Sequence, residues 1–320
     1  MSMRQRNVRL LGALAVALVA VAGSRGADST REWSIPNASF PLLPAIAPDG
    51  KVYITVRYSD RIARFDPATE EFAEWRVPRG TEPHGLLVDG RGQVWFTGSG
   101  NGTLGRLDPE TGSITTYRVA PKAYPHTPVM DPKGDIWFTE FRGNRIGRLD
   151  TASGKIREYQ TAGQPYGIAI DSAGRVWFCQ FAAGKVASLD PSTGEISELS
   201  VGRDTRPRRM AAGPDGSLWA ALYRGGKLVR IDPETNEIAR EYDLPAGAAA
   251  RPYAVAIDSA GNIYASATGT NRIVRLDPRR GTFDVFPLPG RNAMVRGMAA
   301  DVKGRLWYVG SASGRLGLLE

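Results

Sequence analysis

The sequence predicts an all-β fold: a seven-bladed β-propeller of four-stranded blades, its ring closed by the N-terminal strand in the last blade. Three observations predict it. Turns ending in glycine recur at Gly50, Gly92, Gly134, Gly174, Gly216, Gly261 and Gly304, spaced by 42, 42, 40, 42, 45 and 43 residues. A self-similar period of that length marks blades or solenoid units. Each copy reads as four short β segments, with no sustained helical period. The last copy is one segment short, and the missing segment stands at the other end of the chain.

The second copy shows the elements in order. "GLLVD" is the inner strand, and the turn Gly90-Arg91-Gly92 follows it. "QVWFT" is the second strand, then a polar loop, "GSGNG". "TLGRLD" is the third, and the turn "PETG" leads into the outer strand "SITTYRV". Aliphatic, aromatic and Thr-rich runs separated by Gly, Pro and Asp are strand and hairpin signals. Four such strands per copy and seven copies give a propeller.

The seventh copy stops at Glu320 after "GRLGLLE" and lacks the outer strand that other copies write as "FAEWRVP". "TREWSIP", residues 30–36, matches that strand almost residue for residue. Pairing it into the last blade removes the open edge that a linear array exposes.

The repeated residues read as structure. Trp95, Trp137, Trp177, Trp219 and Trp307, with Tyr53 and Tyr264, occupy one strand position and are expected to fill the space between blades. The arginines of "R-x-D" (Arg64, Arg106, Arg148, Arg230, Arg275) and their aspartates are expected to satisfy turns and bridge blades.

Before the repeats, Arg4, Arg6 and Arg9 precede an apolar run at residues 10–22 that ends in Ala20-Val21-Ala22. This reads as a Sec-type signal peptide over residues 1–22, with a short linker at 23–29 and one propeller domain at 30–320. The run is too short to span a bilayer, which takes roughly 20 apolar residues. The expectation is a periplasmic or secreted monomer without a membrane anchor. A single cysteine, Cys179, permits no internal disulfide, and its place in "WFCQ" reads as a buried, inert thiol. The formal charge is +8, or +5 once the three leader arginines are removed, with no long basic run. That balance does not argue for nucleic acid.

Propeller topology puts the tight turns on one face and the longer, varied loops on the other, where sites form on a rigid scaffold. Two positions per blade are read as facing the central funnel. One lies at the start of the inner strand: Leu42, His84, His126, Tyr166, Arg208, Tyr253 and Arg296. The other closes the second strand: Val56, Gly98, Glu140, Gln180, Leu222, Ala267 and Gly310. The two histidines of the chain occupy the first position in adjacent blades. His84, His126 and Glu140 are candidate ligands for Mg2+ or another divalent metal. Alternatively His126 and His84 are a catalytic base and its partner, or simply hydrogen-bond loop carbonyls. Arg208 and Arg296, with Tyr166, Tyr253, Arg57 and Arg142, are candidates for binding an anionic substrate.

The pieces "PHG" and "WFTEFRGNRIGRLD" resemble the streptogramin B (virginiamycin B) lyases, and the resemblance extends over all seven repeats. It implies a seven-bladed propeller. It also implies magnesium and a histidine base that open a cyclic depsipeptide by β-elimination at its ester bond. That family places its histidines and acidic ligands mainly in later blades. Here those blades carry Arg208, Leu222, Tyr253, Ala267, Arg296 and Gly310, with no histidine beyond His126. Two functions are therefore expected in competition. One is a lyase-like or hydrolase-like enzyme acting on a small ester or anionic molecule. The other is a non-catalytic propeller whose rim recognises an exported protein, peptide or glycan.

Overall fold

The computed structural model describes residues 30–320; the expected signal peptide and linker lie outside the described residues. Twenty-eight strands, numbered in chain order, form seven antiparallel four-stranded sheets arranged as blades. Blades 1 to 6 span residues 41–76, 83–118, 125–160, 165–200, 207–243 and 252–287. Blade 7 takes its inner three strands from residues 295–319. Its outer strand is β1 (Thr30–Ser34), which pairs with β28 (Arg315–Leu319) from Thr30↔Leu319 to Ser34↔Arg315. The closure expected from the sequence is present.

Each neighbouring pair of blades encloses its own apolar core, seven in all. The repeated second-strand aromatics sit in these cores: Trp137, Trp177, Trp219 and Trp307 are at most 1 % exposed. Each indole must also place its N–H. Trp95 donates to Asp89, Trp137 to Asp131, Trp177 to Asp171 and Trp307 to Asp301, at 2.8–3.2 Å. The arginines of "R-x-D" lie over the aromatics, with Arg106 5.6 Å from the Trp95 centroid and Arg148 5.3 Å from Trp137. At the seam, Trp33 of β1 stacks on Trp307 with centroids 5.9 Å apart, and the Tyr308 hydroxyl donates to Glu32 at 2.8 Å. Cys179 is fully buried, and burial pushes its thiol well above the usual range.

The inner strands are β2 (Pro41–Ile46), β6 (Pro83–Val88), β10 (Pro125–Met130), β14 (Pro165–Ile170), β18 (Pro207–Ala212), β22 (Pro252–Ile257) and β26 (Val295–Ala300). Every one loses register with its partner just after its first residue. A bulge there re-aims the next side chain. The residue preceding each inner strand has positive φ: Phe40, Glu82, Tyr124, Gln164, Arg206, Arg251 and Met294, at 45–59°. Such a conformation is costly for residues other than glycine and persists only where its surroundings fix it. Here the carbonyl it turns outward is tied down. Those of Glu82, Tyr124, Gln164 and Arg206 accept from the backbone N–H groups of Ser99, Phe141, Phe181 and Tyr223 at 3.2–3.3 Å. The two loops of each blade are thereby clamped together around the mouth. Among the described residues no helix is long and apolar enough to cross a membrane.

Candidate functional site

The second residue of each inner strand is the first funnel position read from the sequence, and the structure brings several of these side chains together. His84 and His126 are both buried, with ring centroids 3.8 Å apart. His126 packs on Tyr166 at 4.1 Å, and the Tyr166 and Tyr253 hydroxyls hydrogen-bond to each other. Arg208 donates to the Tyr166 hydroxyl at 3.0 Å and lies 4.6 Å from the Phe181, Tyr223 and Tyr253 ring centroids. Arg296 lies over Phe40 at 4.8 Å and Tyr253 at 5.5 Å.

Close approach of neighbouring inner strands makes this crowding possible. A Cβ on Gly85 would stand 2.3 Å from the His126 carbonyl oxygen and 2.2 Å from Pro128. That is the physical reason for glycine in "PHG". Buried threonines on the second strands lace the blades together. Thr97 accepts from the Gly85 N–H at 2.7 Å and donates to the His126 carbonyl at 2.9 Å. Thr55 and Thr139 make the same bridge to the carbonyls of His84 and Tyr166.

The charge at the mouth is one-sided. Arg209 is 7 % exposed and donates to the Thr127 hydroxyl at 2.8 Å. Its Nε and Nη2, with the Nε of Arg208 and of Arg296, are buried without a hydrogen-bond partner. Among the described residues none of these three arginines forms an ion pair with a carboxylate. Buried unpaired guanidinium groups are costly, and burial together with its cationic neighbours depresses the pKa of Arg209. The same surroundings act on the histidines. Burial, then Arg209 and Arg57, hold His84 well below its usual value. Burial, then His84 and Arg209, do the same to His126. Both are neutral. The His84 Nδ1 lies 3.2 Å from the His126 carbonyl, which can only accept, so Nδ1 carries the proton and Nε2 the lone pair. The Nδ1 of His126 faces the Thr127 hydroxyl at 2.8 Å.

Glu140 does not join the histidines. Its carboxylate turns toward the outer strands of its own blade, accepting from Arg145 at 2.8 Å beside Glu158. Gln180, at the equivalent position, likewise reaches Glu198 at 2.8 Å. The second series of residues read as facing the funnel therefore faces away from it. Side chains alternate along a strand, so the residue one step further on is the one aimed at the mouth. That residue is Phe141, Phe181 and Tyr223 in blades 3 to 5. Phe141 lies 5.8 Å from His126 and 5.6 Å from Tyr166. Among the described residues no group of three His, Cys, Asp or Glu side chains converges on a metal-sized site. With Glu140 turned away and Arg57 and Arg209 beside the histidines, the donor set does not fit a divalent cation. It fits an anion.

Of the other candidates, Arg57 sits at the rim of blade 1, paired with Glu82 at 2.7 Å and donating to the Tyr124 hydroxyl at 2.8 Å. Arg142 stacks over the other exposed part of this rim, 4.5 Å from the Tyr124 centroid. Arg209 lies beside the repeated position rather than on it, yet is the most buried arginine of the mouth. Thr127, Phe181 and Tyr223 were not legible as site residues. Thr127 carries no signal, and that of Phe181 and Tyr223, with Phe141, is that an aromatic follows the second strand in three consecutive blades. On the opposite face, shallow grooves between turns recur at equivalent places, such as Lys51–Arg91–Asp108 and Lys133–Arg175–Asp190. They follow from the repetition itself.

An all-β ring of seven four-stranded blades around a cationic, aromatic mouth defines a seven-bladed β-propeller. The model of the virginiamycin B lyase family matches residues 21–164 and 70–320, and the chain belongs to that family. Its fold is similar to the virginiamycin B lyase of Staphylococcus aureus, with 28 % identity, TM-score 0.84, and coverage of 91 % of this chain and 99 % of that one. It is equally similar to a streptogramin B lyase structure, with 29 % identity, TM-score 0.85, and coverage of 91 % and 97 %. Hydrazine synthase of Kuenenia stuttgartiensis shares the fold alone, at 15 % identity, TM-score 0.76, and coverage of 89 % and 97 %. A comparison with curated protein sequences finds no match.

Proposed function

We propose that the central mouth receives a small carboxylate or ester carrying a planar apolar group, and that it acts on this molecule by lyase-type cleavage of a carbon–oxygen bond. The observation that carries this reading is the trio Arg208, Arg209 and Arg296, each with at least one buried guanidinium nitrogen that lacks a partner and none ion-paired with a carboxylate among the described residues. Such a site is preorganised for an oxyanion, whether of a ligand or of the enolate formed when a proton is removed beside a carbonyl. Phe141, Phe181 and Tyr223 supply apolar walls for the rest of the molecule. His84, neutral and with a lone pair on Nε2, is a hydrogen-bond acceptor and a weak base. The protein would act in the periplasm or outside the cell, as the arginine-led apolar run at residues 1–22 suggests.

The ligand is not expected to be a streptogramin. Family membership supports a lyase-like scaffold, but the later blades place Arg208, Tyr253 and Arg296 at the mouth, and Glu140 is held by Arg145. A second reading, binding without turnover, is favoured by one observation: the His84–His126 contact also serves to join two blades.

Calorimetric titration with benzoate tests the anion reading. Saturable binding is expected, lost in Arg209→Met and retained in Arg224→Met, whose charge pairs with Asp204 on the outer rim. No saturable heat with the unaltered protein would remove the reading. Chromatography after incubation with virginiamycin B tests the substrate: unchanged peptide is expected, and a linear product would make the protein a streptogramin lyase.

A further inference from the structure

The three arginines need a counter-charge when no ligand is present, and the groups that face them restrict what it can be. From β18 come Arg208 and Arg209, from β26 Arg296, from β10 His126 and from β6 His84. Tyr223 follows the second strand of blade 5. None of these is an anion at neutral pH. The remaining ionisable groups are the Cys179 thiol, which burial keeps protonated, and Tyr166 and Tyr253, 5 % and 4 % exposed and hydrogen-bonded to each other. Arg208 donates to the Tyr166 oxygen at 3.0 Å, and the guanidinium carbons of Arg208 and Arg296 stand 4.6 and 5.5 Å from the Tyr253 centroid.

We propose that Tyr166 and Tyr253 share one proton as a phenol–phenolate pair, and that this pair is the proton acceptor of the mouth. Low dielectric surroundings strengthen the attraction between a phenolate and three nearby guanidinium groups. Burial pushes the Tyr253 hydroxyl up, but Arg208, Arg296, Arg209 and the Tyr166 hydrogen bond together outweigh it and hold it below the usual tyrosine range. Burial and the charge of Tyr253 push Tyr166 up.

The catalytic step rests on the lyase-type reading above. The phenolate oxygen of the pair takes the proton from the carbon beside the substrate carbonyl. The carbon–hydrogen electron pair forms the new carbon–carbon double bond, and the carbon–oxygen pair leaves with the departing carboxylate. The pair, now two phenols, returns one proton to solvent. A carboxylate ligand that does not react supplies the counter-charge itself, so its binding is accompanied by proton uptake.

The test needs no ligand. The ultraviolet phenolate band is followed as pH rises from neutrality. The unaltered protein is expected to show one phenolate equivalent well below the ordinary tyrosine range near about 10. Tyr253→Phe is expected to lose it and Tyr223→Phe to keep it. Arg209→Met, which retains both tyrosines, is expected to move the transition upward. The proposal is overturned if no phenolate appears before the ordinary range, if Tyr253→Phe retains it, or if Arg209→Met leaves it unmoved. A phenolate present without benzoate binding would overturn the anion-ligand reading and leave this inference standing.

Discussion

The Nδ1 of His84 lies 3.2 Å from the backbone carbonyl of His126, and the two imidazoles meet at a tilt of 37° with centroids 3.8 Å apart. One hydrogen bond thus joins blades 2 and 3 and fixes the tautomer of a mouth residue. Four predictions follow from this site and the ring around it.

Acid should weaken the fold through these two histidines. Both rings are held well below the ordinary histidine value of 6.5, so below 6.5 the unfolded chain binds more protons than the native one. Stability is complete above that pH and falls as pH drops, by up to about 1.4 kcal/mol per pH unit for each histidine. Thermal melts from pH 7 to pH 5 should show this loss, and His84→Gln with His126→Gln should flatten it. Equal slopes in both proteins would contradict neutral histidines in the folded state.

Glu140 should act with the opposite sign. Burial and the nearby Glu158 outweigh Arg145 and raise its carboxyl to about 7 from the ordinary value of 4.5. Its contribution is therefore present below 4.5 and is lost as pH rises toward 7. Glu140→Gln should melt higher than the unaltered protein above pH 7, and the difference should shrink toward pH 5. A lower melting temperature at every pH would show that the Arg145 ion pair matters more than the desolvation of the carboxylate.

Replacing Arg209 should cost function and not stability. Arg209→Met removes a buried guanidinium with two unpartnered nitrogens, so its melting temperature should be unchanged or higher. The histidine resonances should titrate at higher pH, because Arg209 is among the charges that depress both rings. Benzoate at a hundred times its dissociation constant should stabilise the unaltered protein by about 2.7 kcal/mol and leave this variant unaffected. Titration of the imidazole resonances and thermal melts read these effects separately.

Removing residues 30–35 should open the ring. Without β1, strand β28 presents an unpaired edge, and Trp307 loses its stacking partner. Exposed edges pair with other chains. Light scattering should report self-association, and the melting temperature should fall. A truncated chain that remained monomeric and equally stable would show that the closing strand adds little.

The fold was legible because its signals are local and repeated. Gly-ended turns, an aromatic at a fixed place in the second strand and an incomplete final copy require no knowledge of neighbouring blades. His84, His126, Tyr166, Arg208, Tyr253 and Arg296 could be aligned for the same reason. Glu140 was misplaced because its direction depends on which parity of the second strand meets the mouth, and the bulge after the inner-strand proline hides that parity from simple alternation. The Thr97 bridge to the His126 carbonyl spans 29 residues between blades, and nothing in the sequence near Thr97 announces it.

The pairing of Thr30 with Leu319 has a consequence for how the molecule is made. The first strand of the ring finds its permanent neighbour only when the last strand of the ring has emerged. Until then six blades are complete and one waits, with two unsatisfied edges at opposite ends of an open arc. Contacts between the extremes of a chain are slow to form, and the delay leaves those edges available to other molecules. A rearranged gene whose termini fell in the loop between two intact blades would carry every strand of each blade in one stretch, and would trade this late seal for an earlier one.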